Sequence, residues 1–152
     1  LEPYEKSIRK RVNKKPKFYF FDTGITRALA RQLTIQLEPG TSVYGDFFET
    51  FIINEFVRLT SYFRKDYKLS YLQTTSGQEI DLIIERPGEK LLLIEIKSTR
   101  EIDDRLISKF KKISGEFDQS ECLCLSNDPY AKKFDHVLAL PWQEGLKHIF
   151  GY

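Results

Sequence analysis

Two cysteines and two histidines are all that the 152 residues offer of soft metal ligands and imidazole chemistry. Cys122 and Cys124 stand two apart in an apolar run that reads as a buried strand; the reading places them on opposite faces, so that neither a local disulfide nor a shared metal site forms easily. Free thiols agree with a reducing cytoplasm, the expected location. His136 and His148 are far apart and have no cysteine or acidic pattern around them, which leaves a zinc centre or a histidine-based triad without support. No apolar run approaches the roughly 20 residues of a membrane span, and no signal-peptide pattern opens the chain. A glycine-rich phosphate loop is absent too, so no nucleotide site is expected in this stretch. Leu1 is not a start methionine, and the chain reads as a piece of a longer protein. An excess of one charge sign is also missing. With 24 basic and 22 acidic residues the formal charge is +2, so any nucleic-acid contact must come from local clusters.

What is present is a generous apolar complement, including 12 Phe and 8 Tyr, enough for one compact domain. Within it, two consecutive apolar runs carry charges that need a reason. Leu91 to Lys97 is short and aliphatic, which favours a covered strand, and in a strand Leu91, Leu93, Glu95 and Lys97 share one face. Asp81 lies near the start of the preceding run, Ile80 to Glu85, and Arg86-Pro87-Gly88-Glu89 between them is a compact turn, so the two runs are expected to form a hairpin. Pairing would bring Asp81 toward Glu95. Two carboxylates brought together repel unless a cation separates them, and hard oxygen ligands beside a lysine suit Mg²⁺ or Mn²⁺. The bland alternative is a pair of edge strands whose charges are solvated and protect against aggregation.

Upstream, Phe48, Ile52, Phe56, Leu59 and Phe63 recur at helical spacing and predict a buried-faced helix from about Gly45 to Phe63. Glu55 falls inside its apolar arc and Glu49 at the margin, and one of the two is expected to face the strands. Glu79 shares the strand face of Asp81 and could join the cluster or end the strand in solvent. Two basic groups are candidates for nucleic-acid contact. One is the arm Arg9-Lys10-Arg11 with Lys14 and Lys15; the other is Arg105, Lys109 and Lys112, opposite Leu106, Phe110 and Ile113 on a helix of about Asp103 to Gly115. Either can equally be a solvated surface. The remaining pattern predicts strands at Phe18 to Phe21, Leu69 to Gln73, Glu121 to Leu125 and His136 to Leu140. It also predicts a helix from Ile25 to about Leu33, capped by Asp22 or Thr23, and a short helix after Pro141. The expected class is α/β, or α+β, a central mixed sheet flanked by helices.

Asp81, thirteen intervening residues, then Glu95-Ile96-Lys97 resembles the PD-(D/E)XK nuclease superfamily. A closer resemblance rests on Lys15-Pro-Lys-Phe-Tyr-Phe-Phe-Asp-Thr-Gly-Ile, then Gly45-Asp-Phe-Phe-Glu-Thr-Phe-Ile-Ile-Asn-Glu, then Glu79-Ile-Asp-Leu-Ile-Ile and Glu95-Ile-Lys. In this order they look like the uncharacterised C-terminal domain of prokaryotic AAA-type ATPases. That resemblance implies a restriction-endonuclease-like αβββαβ core following an ATPase module and a winged-helix segment. Residues 1–16 would then be a basic linker and 17–152 a single nuclease-like domain. It further implies Mg²⁺-dependent phosphodiester cleavage, with Asp81 and Glu95 as metal carboxylates, the Ile96 carbonyl as a third ligand, Lys97 as the motif lysine and Glu49 as the helix acid. DNA is the expected partner, RNA the other candidate, together with the upstream ATPase domain of the same chain. The competing expectation is a catalytically silent module that binds nucleic acid or protein and couples it to the ATPase.

Overall fold

The computed structural model describes residues 1–4 and 15–152, so Arg9, Lys10, Arg11 and Lys14 of the basic arm lie outside the described residues. The architecture is mixed α/β, a seven-stranded sheet with four helices among the described residues. The strands are β1 (Glu2–Pro3), β2 (Lys68–Gln73), β3 (Glu79–Glu85), β4 (Leu91–Lys97), β5 (Ser120–Ser126), β6 (Lys132–Phe134) and β7 (Val137–Pro141), and their order in the sheet is β1-β2-β3-β4-β5-β7-β6. The helices are α1 (Thr23–Leu29), α2 (Ser42–Tyr62), α3 (Ser108–Ser114) and α4 (Trp142–Phe150).

The hairpin of β3 and β4 forms as its turn chemistry requires. Glu89 N–H donates to Arg86 O at 3.1 Å and Gly88 takes φ 77°, so proline and glycine occupy the positions that a type II turn reserves for them. Antiparallel pairing sets Leu82 against Ile94, Ile83 against Leu93 and Ile84 against Leu92. β4 then runs parallel to β5, and β5 parallel to β7, with α3 lying in the connection from β4 to β5.

Alternation along the strands divides the core into two layers. Leu82, Ile84, Leu92, Ile94, Leu123 and Leu125 meet Phe48, Ile52 and Phe56 of α2 and Leu146, Ile149 and Phe150 of α4. On the other face Ile83, Leu93, Cys122, Cys124, Val137 and Ala139 meet Phe110 and Ile113 of α3. Burying each large apolar side chain contributes about 1.5–3 kcal/mol, and this burial, with Thr41 capping the Tyr44 N–H at 3.2 Å, holds the 21 residues of α2 in place. Both cysteines lie on the α3 face, as residues two apart on a strand must, which corrects the expectation of opposite faces.

Several other expectations are revised. Phe18 to Phe21 joins no ladder; two of its carbonyls are taken by α2, where Asn54 Nδ2 donates to Phe20 O and Arg58 Nη2 to Phe21 O. α1 ends at Leu29 rather than Leu33, although Asp22 caps it as predicted, accepting from Ile25 N–H at 2.9 Å. α3 starts at Ser108, so Arg105 and Leu106 precede it, and Leu106 is 46% exposed instead of buried. Two short strands were not expected. β6 pairs with β7, and β1 adds to the sheet edge beside β2, burying Tyr4, so the start of the segment read as a linker packs on the domain.

Candidate functional site

The hairpin opens at the acidic residues. β3 and β4 pair as far as Leu82 and Ile94; beyond that point β3 stays with β2, through Leu72 with Ile80 and Gln73 with Glu79. In the fork so formed the Asp81 carboxylate replaces a main-chain acceptor, its Oδ2 taking the Ile96 N–H at 2.7 Å. Asp81 and Glu95 are both 8% exposed. Lys97, two residues on and on the same strand face, holds Glu95 Oε1 at 2.5 Å. The three residues read from the sequence are therefore brought together.

Two further acids join them. α2 supplies Glu49 and the first residue of β3 supplies Glu79, and both meet the ammonium of Lys17, Glu79 in direct contact and Glu49 Oε1 at 3.8 Å. Tyr19 OH donates to Glu49 Oε1 at 2.7 Å. Glu55, which falls inside the apolar arc of the helix, is not part of this group. Its carboxylate pairs with Arg58 at 2.7 Å, three residues along α2. Lys17 and Tyr19 were not assigned any role from composition or periodicity. The signal available was their spacing, since polar groups two apart in an extended aromatic run share one side, leaving Phe18 and Phe20 exposed at 92% and 62%.

Crowding and burial set the protonation behaviour. Burial first, then the carboxylates of Glu95 and Glu49, pushes the Asp81 pKa well above the usual range; Lys97 and the Ile96 N–H oppose this without cancelling it. Burial also raises Glu95, against the charge and hydrogen bond of Lys97 and with the help of Glu79 and Glu49. For Lys97 burial works against the charge, but Glu95 and Asp81 outweigh it and keep the group an ammonium. Tyr19 is raised by burial and by Glu49, so its hydroxyl stays a donor.

Among the described residues no three His, Cys, Asp or Glu side chains converge as a ready metal cage. The donor set at the fork is smaller: two buried carboxylates whose mutual repulsion a cation would relieve, and the backbone of Ile96 beside them. Hard oxygens of this kind fit Mg²⁺ or Mn²⁺. The basic candidates are dispersed. Lys15 precedes Lys17 by two residues and its carbonyl accepts from Tyr71 OH, whereas Lys109 and Lys112 are exposed on α3.

A mixed α/β domain with an acidic fork between two central strands is the class that this geometry defines. By sequence the chain belongs to the family described as a domain of unknown function (DUF4143), whose profile matches residues 44–144. That span holds Glu49, Glu79, Asp81, Glu95 and Lys97, while Lys17 and Tyr19 lie before it. No curated protein and no solved structure matches the chain at a significant level. No helix among the described residues is long and apolar enough to cross a membrane.

Proposed function

We propose that the chain is a PD-(D/E)XK-like nuclease domain that hydrolyses phosphodiester bonds of DNA with Mg²⁺ or Mn²⁺, attached to an AAA-type ATPase. The observation that carries the reading is the buried Asp81 and Glu95 pair at the fork of β3 and β4 with Lys97 beside it. Asp81, Glu95 and the Ile96 carbonyl would hold the cation. When bound, it would stabilise charge developing on the phosphoryl oxygens and lower the pKa of an attacking water.

Within this reading Lys97, an ammonium in the free protein, orients the attacking water or helps to deprotonate it once the cation occupies the carboxylates that now hold its charge. Glu49, already held by Tyr19 and near Lys17, acts through water. Lys14 and Lys15, with Lys109 and Lys112, are the candidates for neighbouring phosphates, because a duplex extends well beyond the reacting group.

One observation favours a second reading, a catalytically silent module binding nucleic acid or protein: Lys97 already pairs with Glu95 at 2.5 Å, and among the described residues no three acids are placed to hold one ion. Cleavage assays on single- and double-stranded DNA and on RNA, with Mg²⁺, Mn²⁺ or chelator, separate the two. Metal-dependent cleavage by the full-length protein should fall by at least about 100-fold in Lys97→Ala, the scale on which one positioned charge contributes to catalysis. Silence on every substrate would sink the enzyme, and binding retained under those conditions would leave the module.

A further inference from the structure

Four carboxylates, Glu49, Glu79, Asp81 and Glu95, share one electrostatic neighbourhood with two ammonium groups, Lys17 and Lys97. With all six charged, two negative charges remain. One divalent cation cancels them.

The ammonium groups are not distributed evenly. Lys97 sits on Glu95, while Lys17 sits on Glu79 and near Glu49. Asp81 has neither in direct contact and takes a backbone N–H instead. The acids thus fall into two pairs. Asp81 with Glu95 is open to a cation from outside, and Glu49 with Glu79 already has one from the chain.

Lys17 is held in this position by more than its ion pair. Its backbone exchanges hydrogen bonds with Leu1, Lys17 N–H to Leu1 O at 2.9 Å and Leu1 N to Lys17 O at 2.5 Å. Tyr71 OH clamps the carbonyl of Lys15, and Asn54 clamps that of Phe20 at 2.8 Å. The ammonium lies 5.0 Å from the centre of the Tyr71 ring, and the side chain is only 26% exposed. Tyr19 meanwhile donates to Glu49 at 2.7 Å. A metal ion between Glu49 and Glu79 would have to displace a tethered ammonium or sit against it, and like charges a few ångströms apart in a half-buried setting repel strongly.

We infer that Lys17 limits the site to a single divalent cation by occupying the second carboxylate pair, Glu49 and Glu79. The inference rests on the metal reading proposed above and makes Lys17 a positioning residue, contributed by a segment outside the span of the family match. Replacing it leaves three uncompensated negative charges and an open second pair.

Counting bound Mn²⁺ tests this without any turnover. The electron paramagnetic resonance signal of free Mn²⁺ is followed as the ion is titrated into the wild-type chain, Lys17→Met, Lys17→Gln and Asp81→Asn. The expected counts are one for wild type, two for either Lys17 variant and none at the fork for Asp81→Asn. Circular dichroism reports which variants fold, and Lys17→Gln serves if the methionine is not tolerated. A second tight Mn²⁺ in wild type overturns the inference with no variant needed. A folded Lys17 variant that still binds one overturns it too, while leaving the metal reading intact. No Mn²⁺ in wild type removes both together.

Discussion

Asp81 gains more from a proton in the folded chain than in the unfolded one, because burial and the carboxylates of Glu95 and Glu49 all disfavour its charge. The sign of the pH dependence follows. Both states are protonated below about pH 4, so no stability is lost there; as pH rises through the raised native value the folded chain must either keep an extra proton or bear an unpaired buried charge, and stability declines. Asp81→Asn keeps an oxygen for the Ile96 N–H and removes that charge. In chelator at pH 8 it should melt a few degrees above wild type, as expected for about 1–2 kcal/mol in a chain of this size, with the gap closing near pH 4. Glu95→Gln should gain less, since it leaves Lys97 without the carboxylate now 2.5 Å away. Thermal melts at the two pH values decide it; a lower melting point for Asp81→Asn at pH 8 would mean that the ionised carboxylate is structural. The residue scale also accounts for the inert cysteines. Burial, and after it the charge of Glu95, pushes the Cys124 thiol up to about 12, so it is not a nucleophile at neutral pH.

Elements succeed here where a local signal and a tertiary surface agree. α4 follows Pro141, and its Gly145 looks like a weak point, since alanine favours a helix by roughly 1 kcal/mol over glycine. The helix lies against β5, however, and a Cβ at Gly145 would stand 2.2 Å from Leu125 Cδ2, a side chain with no exposure. Overpacking of a filled core costs typically 1–3 kcal/mol, which outweighs the propensity gain. Gly145→Ala should therefore lower the urea midpoint, with a net loss of up to about 2 kcal/mol. A raised midpoint would show that Leu125 has room to turn aside. The same competition ran the other way at Phe18 to Phe21, where β-favouring residues pair with no strand and are held by α2 side chains instead.

For the whole molecule the formal charge of +2 supplies little general attraction for a polyanion, so binding must depend on where its cations cluster. Lys15 is anchored through its carbonyl two residues before Lys17, at the edge of the acidic fork. On that geometry, neutralising Lys14 and Lys15 together should weaken binding about equally for unrelated DNA sequences and lower the salt slope by about one to two units, the value for one or two lost phosphate contacts. Fluorescence anisotropy across a salt series measures it. An unchanged slope would place the nucleic-acid path elsewhere, with Lys109 and Lys112 on α3 the next pair to neutralise.

Period-two alternation, the Pro-Gly turn and helical spacing are local properties, and from them the sequence by itself determined the β3 and β4 hairpin, the buried face of α2 and the grouping of Asp81, Glu95 and Lys97. Charged residues inside aliphatic runs were legible because burial penalises them unless something compensates. The choice between Glu49 and Glu55 was not. Both lie on one helix near an apolar arc, and what separates them is Arg58 on one side and the segment carrying Lys17 and Tyr19 on the other. That segment's path is set by hydrogen bonds to Leu1, Tyr71 and Asn54, partners between 16 and 56 residues away, which no pattern within a window records. The fork is likewise a tertiary outcome: β3 pairs with β4 at one end and only with β2 at the other, and the acceptor that β4 then lacks is supplied by the Asp81 carboxylate. Residue types announced that charge had to be compensated; the packing of distant segments decided which charges meet.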